Sequence, residues 1–136
     1  MELDNKINLH HYGFLTDDSK KAIKNYKFLG YKIKQSFLDN LRGVKITFLK
    51  HSSTDVLLEI IEPFDNNSDV SNIMKKYQNN LYHSCFEVTN IKECITKLEE
   101  AGFITIDLPK PAIAFNNRKV AFLLSKYTGI IELLEK

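Results

Sequence analysis

At 136 residues, 43% hydrophobic and 26% charged, the chain has the make-up of one globular domain or of two small modules sharing a core. Its net charge of +2 and scattered basic residues argue against a nucleic-acid partner. No run approaches the ~20 apolar residues of a membrane helix, Met1 to Asn5 does not read as a secretory signal, and Cys85 and Cys94 have neither zinc nor disulfide-framework spacing. No membrane partner and a reducing, cytoplasmic location are therefore expected.

Taken in chain order, Ile7 to Leu15 reads as a strand. Asp17-Asp18-Ser19 then supplies a helix N-cap and first-turn negative charge. The helix runs to Leu29, with Ala22, Ile23, Tyr26 and Phe28 expected on its buried side, and Gly30 closes it in the left-handed region. Strands follow at Tyr31 to Leu38, Gly43 to Lys50 and Val56 to Glu62, and Pro63 ends that half. Ser68 to Gln78 reads as a short linker helix whose Val70, Ile73, Met74 and Tyr77 form a packing stripe. Leu81 to Val88 is the next strand, and Asn90 caps a helix ending at Gly102. Strands are expected near Phe103 to Leu108, Lys119 to Leu124 and Gly129 to Leu134, with Pro109 and Pro111 making Lys110 to Asn117 an irregular loop.

Self-comparison organises these elements. Shifted by 72 residues, His11 falls on His83, Phe14 on Phe86, Lys20 on Lys92, Ile23 on Ile95, Gly30 on Gly102 and Tyr31 on Phe103. Glu59 then lands one residue short of Glu132, a slip that one longer turn would produce. The expected class is α+β, with two β-α-β-β-β modules at about 7–63 and 81–134 joined by the linker helix at about 68–78, in one domain over 1–136.

The repeat carries the chemistry. His11 precedes Glu59 by 48 residues and His83 precedes Glu132 by 49. Each glutamate sits inside a run of large aliphatics, Val56 to Ile61 and Gly129 to Leu134, where a carboxylate is costly unless paired, hydrogen-bonded or bound to a metal. Strand alternation puts Phe14 and Phe86 on the face opposite His11 and His83. Two imidazoles and two carboxylates suit one divalent ion of the Ni, Co, Mn, Zn or Fe kind and disfavour calcium.

With these motifs the chain resembles the vicinal oxygen chelate superfamily, which includes glyoxalase I and methylmalonyl-CoA epimerase. The resemblance rests on His10-His11-Tyr12-Gly13-Phe14, Leu57-Leu58-Glu59-Ile60-Ile61-Glu62-Pro63, Leu81 through Val88, and Ile130-Ile131-Glu132-Leu133. It implies an eight-stranded U-shaped sheet and a metal held by His11 (rather than His10), Glu59, His83 and Glu132. It also implies enolate chemistry with Glu132 or Glu59 as base, on a small thioester or hemithioacetal, in a homodimer. The look is epimerase-like, with a glyoxalase I-type (lactoylglutathione) lyase or a non-catalytic antibiotic-binding resistance protein as alternatives. Two departures from epimerases stand out: Leu124 to Gly129 lacks a His-Pro-Lys stretch, and the third strand carries Lys45-Ile46 where some epimerases place an acid. Cys85 is expected as a small wall residue, and Lys110, Arg118 and Lys126 as rim charges or as contacts to a phosphate or carboxylate.

Overall fold

The computed structural model describes residues 6–64, 72 and 75–136. Its elements are β1 (Asn8–Leu15), α1 (Ser19–Phe28), β2 (Tyr31–Asp39), β3 (Val44–His51), β4 (Leu57–Pro63), β5 (Asn80–Val88), α2 (Ile91–Glu100), β6 (Ile104–Ala112), a 3-10 turn (Ile113–Phe115), β7 (Arg118–Ser125) and β8 (Gly129–Glu135). The expected linker helix falls mostly outside the described residues; within it, Lys75 to Tyr77 are helical. The strands follow the hydrogen-bonded order β2-β3-β4-β1-β5-β8-β7-β6, a mixed eight-stranded α+β arrangement. No described helix is long and apolar enough to cross a membrane.

The chain divides into two compact units, one of residues His11–Tyr82 and one of Met1–His10 with His83–Lys136. Strand β1 is thus split between them. In the first unit β1 runs parallel to β4, pairing Gly13 with Glu59, while β3 lies antiparallel to both β4 and β2. Asp18 caps α1 by accepting the Lys21 N–H at 3.1 Å, satisfying one of the amides that a helix start leaves open. Ala22, Ile23 and Tyr26 pack, with Phe14 and Tyr31, on buried Leu49, Leu58 and Ile60. Phe28 does not join them and is 80% exposed. Two residues beyond Tyr26 it has turned about 200° around the helix, away from the sheet.

The second unit repeats the plan. β5 runs parallel to β8, with Cys85 opposite Glu132, and β7 lies antiparallel to β8 and β6. Asn90 caps α2 by accepting the Glu93 N–H at 3.1 Å. The core gathers Val88, Ile91, Cys94, Ile95, Ala121, Leu123, Ile131 and Leu133, and Ile7 packs against it. One expectation fails here: β6 extends through Pro109 and Pro111 to Ala112, where a loop was expected. Proline cannot donate to a ladder, but β6 is an edge strand, and its register slips between Thr105 and Asp107 and again between Asp107 and Lys110. Edge positions and bulges are where a strand tolerates proline.

The core lists fix which way each strand faces. Leu58, Ile60, Ile131, Leu133, Ala121 and Leu123 face the helices. Within each unit alternation then turns the glutamate and the aromatic away from the helix, Glu59 with Phe48 in the first and Glu132 with Phe122 in the second, where His83, Cys85 and Glu87 share that face of β5.

Candidate metal centre

In the first unit His11 is fully buried and Glu59 is 3% exposed, with His11 Nε2 3.4 Å from Glu59 Oε1. The register explains the meeting. His11 lies across from Leu57 and Gly13 lies across from Glu59, so the two side chains are diagonal neighbours on one face of a parallel pair. Gly13 leaves the space directly opposite Glu59 without a side chain, and the carboxylate leans toward the imidazole. The His11 ring is held edge-on by Phe48, at 5.7 Å between centroids, and Phe48 is itself the cross-strand partner of Glu59. Phe37 stacks edge-on against Phe48 in turn.

The second unit builds the same triad. His83 Nε2 lies 3.2 Å from Glu132 Oε1, and both residues are buried. His83 pairs with Ile130 and Cys85 with Glu132, which is the diagonal of the first unit again. Cys85, buried and not in a disulfide, takes the place of Gly13 as the small residue opposite the carboxylate. Phe122 lies edge-on to His83 at 5.7 Å and pairs across strands with Glu132. The structure therefore brings His11 to Glu59 and His83 to Glu132, and adds Phe48 and Phe122. Sequence reasoning missed both aromatics, although the pair was visible at a shift of 74, two residues off the register that aligns the histidines.

The donor set fits a metal. A charge-assisted N–H to carboxylate bond settles at about 2.7–2.9 Å, shorter than the 3.4 and 3.2 Å seen in the two pairs. Two donors bound at ~2.1 Å to one ion sit ~3.0 Å apart at a right angle and ~3.4 Å apart at a tetrahedral angle. Each His–Glu spacing falls in that interval.

The surroundings differ between units. Ile46, buried on the Phe48 side of β3, leaves that face of the strand without an acid next to Glu59, and Lys45 points to the other side. In the second unit Arg118 Nη1 donates to Glu87 Oε2 at 2.7 Å. That bond holds the Glu87 carboxyl below the ordinary carboxylate range, helped by a hydrogen bond from Asn8 and by the charges of Arg118 and His10, against an opposing effect of burial. The His10 ring packs edge-on against Phe115. Of the other rim cations, Lys110 pairs with Asp107 at 2.8 Å and Lys126 lies over the Tyr127 ring.

Comparison with known proteins gives the family and relatives of the chain. The chain is 27% identical to the mitochondrial methylmalonyl-CoA epimerase of Dictyostelium discoideum, over 94% of its own length and 78% of that protein's. It is 25% identical to an ethylmalonyl-CoA/methylmalonyl-CoA epimerase of Cereibacter sphaeroides, over 94% and 96%. In fold it matches a variant of Streptomyces coelicolor methylmalonyl-CoA epimerase solved with 2-nitronate-propionyl-CoA, with a TM-score of 0.79 at 18% identity, covering 95% of this chain and 94% of that one. Residues 10–122 match the model of the Glyoxalase/Bleomycin resistance protein/Dioxygenase superfamily, and the chain belongs to that superfamily.

Proposed function

We propose that the chain is a divalent-metal-dependent isomerase of the methylmalonyl-CoA epimerase type, with His11, Glu59, His83 and Glu132 holding one ion. The observation that carries the reading is the buried His–Glu pair built twice, in the same register, on equivalent strands. Two curated relatives named as epimerases of CoA thioesters supply the substrate class.

When bound, the metal supplies Lewis acidity to a thioester carbonyl, stabilising negative charge that develops on its oxygen. The chain's own residues do the rest. Glu132 and Glu59 are the candidate bases, one taking the proton from the carbon next to the carbonyl and one returning a proton to it. Phe48, Phe37 and Phe122 exclude water beside the imidazoles, which strengthens every charge interaction there.

The test is solvent deuterium incorporation at the α carbon of methylmalonyl-CoA, followed by mass spectrometry, in metal-loaded protein and in protein stripped by chelator. Exchange that depends on metal and on Glu132 supports the reading; no exchange in loaded protein defeats it. One observation favours a second reading. With Ile46 on β3 the first unit has no extra acid beside Glu59, and a lyase acting on a hemithioacetal, as glyoxalase I does, has less need of one. Turnover of methylglyoxal–thiol adducts, without exchange into methylmalonyl-CoA, would decide for the lyase.

A further inference from the structure

The two units differ at equivalent positions on the strand face that bears each one's His–Glu pair. Glu87 on β5 corresponds by the repeat to Leu15 on β1, and Arg118 on β7 to Val44 on β3. In the first unit those positions are plain core, Leu15 at 0% and Val44 at 3% exposed. In the second they are an ion pair, with the Arg118 side chain 35% exposed and that of Glu87 20%. The fold does not require the charges, because its own repeat manages with aliphatics. Half-exposed ion pairs also contribute little to stability.

The Arg118 guanidinium is held on several sides. Nη1 donates to Glu87 Oε2 at 2.7 Å and makes a longer contact with the Glu135 carbonyl at 3.5 Å, while Nε donates to the Phe115 carbonyl at 3.3 Å. The Phe115 ring lies beneath it, 6.0 Å from the guanidinium carbon. Among the described residues none takes the Nη2 amine. Glu87 is engaged by both Arg118 and Asn8. The cluster as a whole is close to neutral, and with Nη1 and Nε engaged the guanidinium fork presents its Nη2 amine as the donor for an oxygen. Since His83, Cys85 and Glu87 share a face, Glu87, which the guanidinium binds, stands ~13 Å along β5 from His83 at the usual rise per strand residue. An acyl group at His83 is too short to reach it, but the arm of a thiol ester is not.

We infer that Arg118, clamped by Glu87, holds an acceptor oxygen on the outer arm of a thioester substrate and so selects for a long thiol carrier. The inference rests on the thioester reading above. Beyond the inner amide, which N-acetylcysteamine retains and the outer arm excludes, the outer amide and hydroxyl of pantetheine and the phosphates of CoA offer such an oxygen, and the probes separate the first two from the phosphates.

The experiment measures affinity of the full chain for three propionyl thioesters, those of CoA, pantetheine and N-acetylcysteamine. It compares wild type with Glu87→Leu/Arg118→Val, which gives the second unit the residues of the first, and with Arg118→Lys, which keeps the charge but loses the fork. Both variants should melt near wild type and bind metal equally. For the arm contact, the double variant should lose about tenfold or more, as expected for a charged hydrogen bond. Loss with CoA and pantetheine but not with N-acetylcysteamine assigns the outer amide or hydroxyl portion. Loss with CoA alone assigns a phosphate. Equal affinity in wild type and both variants, or equal loss with all three esters, overturns the inference while leaving the thioester site standing. If the double variant is unfolded, Arg118→Lys decides by the same criteria. If metal-loaded wild type binds none of the esters, the thioester reading has failed and the arm site falls with it.

Discussion

Phe48 and Glu59 face each other across β3 and β4, and the same Phe48 ring stands edge-on to the imidazole that Glu59 approaches. An aromatic edge is slightly positive and its face slightly negative, so an edge-to-face contact fixes ring orientation as well as filling space. Replacing Phe48, which is 4% exposed, by Ala should cost about 3–4 kcal/mol of stability. Phe48→Leu should cost far less in stability but still weaken metal binding several-fold. Denaturant melts and chelator competition on the two variants separate packing from orientation.

Metal analysis of protein purified without chelator should find about one divalent ion per chain. His83→Ala or Glu132→Ala should reduce affinity by more than the 10–100-fold that loss of a supporting contact causes. Wild type and Glu132→Ala binding equally would show that the four-residue site is drawn wrongly.

Glu87 gives a prediction with a sign. Its carboxyl titrates lower in the folded chain than when unfolded, chiefly because Arg118 hydrogen-bonds the ionised form. Such a group contributes stability above its unfolded pKa, and that contribution disappears as pH falls through the folded value. Wild type should therefore exceed Glu87→Gln in urea midpoint at pH 7, with the gap closing as the solution is acidified below the ordinary carboxylate range. A gap that widens in acid would contradict the assignment. The effect should be modest, because the pair is partly solvated.

The two helix-ending glycines should respond differently to alanine. Gly30 and Gly102 have φ of +96° and +99°, in the left-handed region where a side chain is strained. At Gly102 an added Cβ meets nothing within 4 Å, so the cost is backbone strain alone, ~1–2 kcal/mol. At Gly30 it would lie 2.8 Å from His51 Nε2. That ring is pinned by the Leu29 carbonyl at 2.9 Å and by Ser53 through Nδ1, so it cannot yield cheaply. Thermal melts should rank Gly30→Ala as clearly the less stable.

Much of this was legible in the residues because it obeys short-range rules. The repeat, the Asn90 cap and the alternation that separates Phe86 from His83 all follow from period and capping chemistry. The His–Glu pairs were legible as well, since a lone carboxylate in an aliphatic run demands a partner. The Arg118–Glu87 pair was not, because ion pairing across 31 residues leaves no periodic trace. Neither was β6 beyond Leu108: proline's effect depends on whether a neighbour needs its missing N–H, and only the edge position answers that.

The division of β1 bears on whether the duplication can be undone. Ile7 packs in the core completed by Leu133, and Lys136 donates to the Lys6 carbonyl, so the second unit draws on residues from both sides of the first. A cut in the linker would not yield two independent modules; the downstream fragment would lack Ile7, which packs on its core. Contacts between positions so distant in the chain also form late and slowly. The second unit should accordingly complete its folding only after the first has brought residues 7–10 within reach, and two co-expressed halves should recover less structure than the uncut chain.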